Sequence, residues 1–172
     1  LTTARFSGLY GHWYPHGRDM ATFLRTLLNQ CRAVVLAMQA IRRVNPHARL
    51  VQTEDLGKAF ATAPMQYQAD YENERRWLSF DLLCGRVNRQ HPWHETFLMA
   101  GIGERELAFF VEAGCTPDII GINHYLTSER FLDHRVAMYP GVQQNTSGAR
   151  AYVDVEAVRV ELPPAQIGPE AR

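Results

Sequence analysis

The chain has 172 residues, 46% apolar and 21% charged, with 18 basic and 18 acidic side chains. That suffices for one packed domain and excludes a disordered chain, which would be poor in apolar residues and carry net charge. It also excludes an electrostatic nucleic-acid binder, for want of any basic excess, and a membrane span, because no stretch approaches about 18 consecutive apolar residues.

Residues 1–18 read as a loop, with Gly8, Gly11, Pro15 and Gly17 set among Tyr10, Trp13 and Tyr14. Asp19 is placed to cap a long helix. From Met20 to Val44, Phe23, Leu24, Leu27, Leu28, Cys31, Val34, Val35, Met38 and Ile41 recur at spacings of three and four, one continuous inward stripe. Arg25, Arg32, Gln39 and Arg42 fall between them. Asn45-Pro46 stops the helix, and Arg42 and Arg43 suit its negative end. Residues 49–54 read as a strand ended by Asp55-Leu56-Gly57. Helix, turn and strand are half of a βαβ unit, so a parallel strand is expected before Leu1.

A second helix is predicted over 65–84, closed by Gly85, with Tyr67, Tyr71, Trp77, Leu78 and residues 80–83 inward. Residues 86–102 read as a loop with one helical piece over 95–99. A third helix is predicted over 104–113, with Leu107, Phe110 and Val111 inward and Gly114 as its C′ residue. Ile119-Ile120-Gly121-Ile122-Asn123-His124-Tyr125 is an apolar run turning polar, as in a buried parallel strand. Residues 126–172 read as irregular. Pro140-Gly141, Asn145-Thr146-Ser147-Gly148, Pro163-Pro164 and Gly168-Pro169 mark turns, and Val153, Val155, Val158 and Val160 mark one short edge strand. The class is α/β in one domain: a loop over 1–18, a βα core over 19–125 and an irregular segment over 126–172.

In parallel α/β folds reactive groups gather at the C-terminal ends of strands. Here those ends are Thr53-Glu54-Asp55 and Asn123-His124-Tyr125. A helix cap or surface pair also accounts for Glu54 and Asp55, and a hydrogen-bonded strand terminus for Asn123 and Tyr125. Glu54 and Asp55 are adjacent, so on a strand they point to opposite faces and form no facing carboxylate pair. His91-Pro92-Trp93-His94 is extended by its proline and lacks a third ligand, so no metal is expected. His12 and His16 fit turn packing. Cys31, Cys84 and Cys115 form no C-x-x-C pair and read as buried free thiols of a cytoplasmic protein. Asn145-Thr146-Ser147 fits a glycosylation acceptor, with nothing else to indicate secretion. No phosphate- or dinucleotide-binding glycine loop is present, and no cofactor is expected.

Three stretches in order resemble family 1 glycoside hydrolases, the β-glucosidase clan of TIM barrels. Residues 23–51 look like the helix after the fourth barrel strand leading into the fifth. Residues 74–92, with Trp77, Phe80, Asp81, Gly85 and Pro92, look like the family's following helix and loop. Most specific is Asp118-Ile119-Ile120-Gly121-Ile122-Asn123-His124-Tyr125-Leu126-Thr127-Ser128, similar to the family's D-F-L-G-x-N-Y-Y-T-S at the sixth strand. The resemblance covers about the first three quarters of the chain. His124 replaces the first tyrosine of that motif, which points to a divergent branch.

The resemblance implies a partial (β/α)8 barrel, about strands 5 and 6 with flanking helices, since a whole barrel needs about 200 residues or more. It implies a parent that cleaves β-glycosidic bonds with retention, using two glutamates about 5 Å apart. The family's acid/base lies on the fourth strand and its nucleophile on the seventh. Both are expected outside this chain, which is then inactive alone. Tyr125 matches the tyrosine that hydrogen-bonds the nucleophile, a supporting role. Asn123, Glu54 and Trp13 are the substrate-binding candidates. The partner implied is a carbohydrate or glycoside. Two other readings stand beside this one. Tyr10, Trp13 and Tyr14 are suited to stacking on sugar rings in a non-catalytic binding module, and exposed barrel edges are suited to self-association.

Overall fold

The computed structural model describes residues 1–160. The proline and glycine turns expected at 163–169 lie outside them. In chain order the elements are α1 (Thr2–Ala4), which runs into a π-helical turn (Arg5–Leu9), α2 (Met20–Val44), β1 (Val51–Glu54), β2 (Ala59–Ala61), α3 (Gln66–Arg75), α4 (Leu78–Leu83), α5 (His94–Met99), α6 (Glu104–Ala113), β3 (Ile119–Ile122), β4 (Arg130–Asp133), β5 (Gln144–Ser147) and β6 (Arg150–Glu156). They form two compact units. The first is Leu1–Glu54 with Trp77–Asn123; the second is Asp55–Arg76 with the chain from His124 onward.

The first unit is organised by α2. Asp19, extended at the N-cap, accepts the Thr22 N–H at 2.7 Å. That bond, before any other cause, holds the Asp19 carboxyl below its usual pKa. The stripe is buried at Phe23, Leu24, Leu27, Leu28, Cys31, Val35 and Met38, while Ile41 is exposed. The helix therefore outruns the core by its last turn. α4, α5 and α6 pack against α2. In α6, Glu106 reaches back to accept the Gly103 N–H at 3.1 Å and also pairs with Arg25. The Arg25 bond, then the Gly103 N–H, keeps the Glu106 carboxyl below its usual range. Gly114 ends α6 at φ +52°, the left-handed geometry that glycine adopts without strain.

β1 and β3 are parallel, in register from Val51↔Ile119 to Glu54↔Ile122. Asp118 sets where they start. Its Oδ2 accepts the Leu50 N–H at 2.7 Å and the Arg42 guanidinium at 2.9 Å, joining the end of α2 to both strands. Gly121 lets the strands close, because a Cβ there would fall on the Thr53 hydroxyl.

Residues 1–18 are not wholly a loop. The π-helical turn puts Ser7 and Gly8 into the core. Its carbonyls then catch the chain that follows: Phe6 accepts from His12 and Trp13 at 2.8 and 3.1 Å, Ser7 from Gly17 at 2.8 Å, and Gly8 from Asp19 at 3.1 Å. The helix expected over 65–84 is two helices, broken at Arg76-Trp77. α3 buries Ala69 and Arg75 in the second unit; α4 buries Leu78, Phe80, Leu82 and Leu83 in the first. Tyr67 and Trp77, expected inward, are exposed.

The second unit is a four-stranded mixed sheet in the order β2-β4-β6-β5, with β2 parallel to β4 and the other pairs antiparallel. Up to residue 156 this corrects the irregular reading of the C-terminal segment. β6, expected as a lone edge strand, lies between β4 and β5. Gly148, at φ +57°, turns the chain between β5 and β6. α3 packs on β2, and Ala59, Met65, Ala69, Leu132 and Tyr152 form the core. Asn73 borders β2 with its amide, which accepts the Ala59 N–H at 2.9 Å and donates to the Ala59 carbonyl at 2.8 Å. Gly57 approaches the Ser128 carbonyl so closely that a side chain there would strike it.

Candidate functional site

Two of the residues singled out from sequence meet at the strand ends of the first unit. Glu54 closes β1, and the Asn123 N–H just past β3 donates to the Glu54 carbonyl at 2.9 Å. This bond extends the parallel ladder by one step and fixes both residues at the C-terminal rim. The Glu54 side chain is buried. Its carboxylate accepts the Gln52 amide at 3.1 Å and the Leu1 amino nitrogen at 3.0 and 3.1 Å. Asn123 is exposed. The rim thus combines a buried acceptor with a solvent-facing amide, groups suited to hydroxyl-rich ligands.

Trp13 belongs to the same unit. It stands edge-on to Phe6, centroids 5.1 Å apart at 79°, and about half of it remains exposed. Phe6 also packs against His12 and Tyr10 at 5.4 and 6.0 Å. The indole is therefore packed against the Phe6 ring, and the Trp13 backbone N–H donates to the Phe6 carbonyl at 3.1 Å. Trp13 shares its unit with Glu54 and Asn123, and the loop that carries it precedes α2. Because α2 leads back into β1, that loop opens on the side where parallel strands end.

Tyr125 lies in the second unit, and its ring is exposed. Its backbone forms a tight turn: the Tyr125 N–H donates to Ser128 Oγ and the Ser128 N–H to the Tyr125 carbonyl, both at 2.9 Å. His124 is engaged with its neighbours in that unit. Its Nδ1 lies 3.2 Å from the Asp55 carbonyl, and its Nε2 lies 3.5 Å from Glu129 Oε1. The residue that departs from the family motif thus joins the chain leaving β1 to the chain leading into β4. Sequence reading missed this tie and the Asp118 junction. Asp118 had a signal, its place at the head of the motif, but its partners lie 68 and 76 residues away.

His91 lies 3.4 Å from Asp81, and buried His94 lies 3.5 Å from Glu104. Among the described residues no group of three or more His, Cys, Asp or Glu side chains is disposed to hold a metal. No helix among them is long and apolar enough to cross a membrane. The three cysteines are free. Burial pushes the Cys31 thiol up to about 12, and the charge of Glu54 acts in the same direction. Burial raises Cys115 as well. In the folded protein iodoacetamide is expected to label the partly exposed Cys84 first and to leave Cys31 unmodified near neutral pH. Peptide mass spectrometry over a time course checks this; early labelling at Cys31 contradicts it.

No protein-family model matches the chain, and no curated protein matches it. Solved structures do. A β-glucosidase from Thermotoga maritima in complex with azafagomine superposes with a TM-score of 0.63 at 17% identity, over 88% of this chain and 32% of that one. The same organism's β-glucosidase with deoxynojirimycin gives 0.61 at 17%, over 85% and 33%. Its family 1 β-glucosidase gives 0.60 at 17%, over the same shares. The chain therefore spans about a third of the solved structures it matches. Its fold is that of a partial (β/α)8 barrel.

Proposed function

We propose that these residues form a segment of a family 1-type glycoside hydrolase barrel, from a divergent branch, about its fifth and sixth strands. The parent cleaves β-glycosidic bonds with retention. The segment contributes substrate-binding groups at the rim and lacks the two catalytic glutamates. The observation that carries this reading is the barrel likeness over 77–88% of the chain, together with the Asn123-His124-Tyr125 motif at the end of β3. In this reading Asn123 and Glu54 accept and donate to sugar hydroxyls, Trp13 packs on an apolar ring face, and Tyr125 supports a nucleophile carried by another strand.

Retaining hydrolysis needs a nucleophile and an acid/base flanking one bond. At the strand ends of the first unit the carboxylate presented is Glu54, and it is already engaged by Gln52. One carboxylate supplies one of the two roles. The purified chain is expected to release no p-nitrophenol from p-nitrophenyl β-glucoside above the buffer rate, and Glu54→Gln is expected to leave that result unchanged. Turnover by the purified chain that Glu54→Gln abolishes would overturn the assignment.

A further inference from the structure

We propose that His124 is a proton-operated clasp: with a proton on each ring nitrogen it ties the chain leaving β1 to the chain leading into β4, and loss of one proton to solvent releases the tie. Nδ1 lies 3.2 Å from the Asp55 carbonyl oxygen, and Nε2 lies 3.5 Å from Glu129 Oε1. A carbonyl oxygen only accepts, so Nδ1 must donate. In a neutral ring Nε2 is then left with a lone pair aimed at the carboxylate. Only the imidazolium donates on both sides. The Asp55 carboxylate adds to this, its Oδ1 lying 3.8 Å from Nδ1.

The surrounding charge favours the same state. Asp55 Oδ1 and Glu129 Oε2 are buried, and no hydrogen-bond donor reaches either. Carboxylate oxygens so placed are costly unless positive charge stands beside them. Three cations lie in the same stretches of chain. Arg130 pairs with Asp154 at 2.7 Å, Lys58 stands over the Phe60 ring at 5.3 Å, and Arg76, just past α3, donates to the Leu56 carbonyl at 3.4 Å and feels the Glu129 charge. The clasp also closes a tight crossing. Gly57 packs on the Ser128 carbonyl, and the Arg130 N–H donates to the Lys58 carbonyl at 2.9 Å. Between His124 and Glu129 runs the Tyr125–Ser128 turn, so the imidazolium holds that turn at both ends. The unfolded chain offers the ring no such pair of acceptors. The tie therefore stabilises the fold at low pH and is lost as pH rises through about 5 to 8, where histidine changes charge. None of this depends on glycoside chemistry, so it stands or falls apart from the activity assay.

The test is NMR of the histidine ring nitrogens on the full 172-residue chain, taken from about pH 5 to 8. The His124 signals are those that disappear in His124→Gln. Both of its nitrogens are expected to carry protons at the acid end, and Nδ1 is expected to keep its proton at the alkaline end. Over the same range the Ser128 amide, corrected for its intrinsic exchange rate, is expected to lose about threefold in hydrogen-exchange protection, the size of effect a half-exposed ion pair gives. Glu129→Gln and His124→Gln each remove a charge and keep a hydrogen-bonding amide, and both are expected to flatten that pH dependence. The ring measurement uses the wild-type chain, so it decides the matter even if a variant unfolds. A neutral ring protonated at Nε2 overturns the proposal, because the Asp55 carbonyl contact then carries no hydrogen. Ser128 protection that is constant with pH, or that varies equally in Glu129→Gln, also overturns it.

Discussion

Gly8→Ala is expected to be the most damaging single methyl group that can be added to the first unit. A Cβ at Gly8 would lie 2.5 Å from Phe23 Cα, 2.6 Å from Phe23 N and 2.8 Å from the carbonyl carbon of Thr22. All three are backbone atoms in the first turn of α2, so no side-chain rotation relieves the contact. Phe23 is fully buried, and α2 is held at that end by the Asp19 cap. The π-helical turn must therefore move away. The Ser7 and Gly8 carbonyls then lose the Gly17 and Asp19 amides that fold the Trp13 loop back onto the helix. Overpacking against fixed atoms costs about 3 kcal/mol, a large share of the stability of a chain this size. Gly101→Ala is the control. It meets nothing within 4 Å, and its penalty comes from φ +77° alone, about 1 kcal/mol. Denaturation midpoints followed by circular dichroism separate the two. Equal midpoints for Gly8→Ala and wild type would show that the turn does not pack as described.

The elements legible in the sequence are those whose information is local. α2 and α6 fall where the apolar spacing and the caps placed them, because a three-to-four stripe and an Asp or Gly terminus are read within one window. β1 and β3 were legible as runs that end in polar residues. The parallel-sheet rule singled out their C-terminal ends, but the side-by-side pairing that brings Glu54 to Asn123 is seen only in the folded chain. The second unit was not legible. β2 is Ala-Phe-Ala, and its partner β4 begins 71 residues after it starts, so no local pattern announces the pairing. β5 is Gln-Asn-Thr-Ser, four polar residues that read as a turn until β6 lies beside them. The break in the 65–84 helix was hidden for another reason: the stripe continues across Arg76-Trp77, but its two halves bury themselves in different units. The π-helical turn was masked by glycines that usually mark loops, whereas Gly8 serves close packing.

Asp133 is the clearest case of a residue that only the folded chain explains, and its removal is expected to destabilise the second unit. It is wholly buried at the end of β4. Its carboxylate accepts the Arg135 N–H and Nε at 2.9 Å, the second Arg135 nitrogen at 2.7 Å and the Tyr139 hydroxyl at 2.9 Å. Burial pushes its pKa up, but the Arg135 and Tyr139 bonds outweigh burial and hold it below the usual aspartate value. Folding therefore favours the ionised form. The resulting stabilisation is present in full above the unfolded-state pKa, near 3.8, and is lost as pH falls below it. Asp133→Asn keeps the shape, removes the charge and turns one acceptor into a donor facing Arg135. It is expected to cost about 2 kcal/mol at neutral pH. Arg135 is itself half exposed, which keeps the loss below that of a fully buried pair. In acid the wild type loses the same charge, so the two unfolding midpoints should converge. Urea unfolding at neutral pH and again well below pH 4 reads the difference directly. A gap that stays constant across that range would mean that Asp133 holds the turn from β4 to Tyr139 through shape and hydrogen bonding, without its charge.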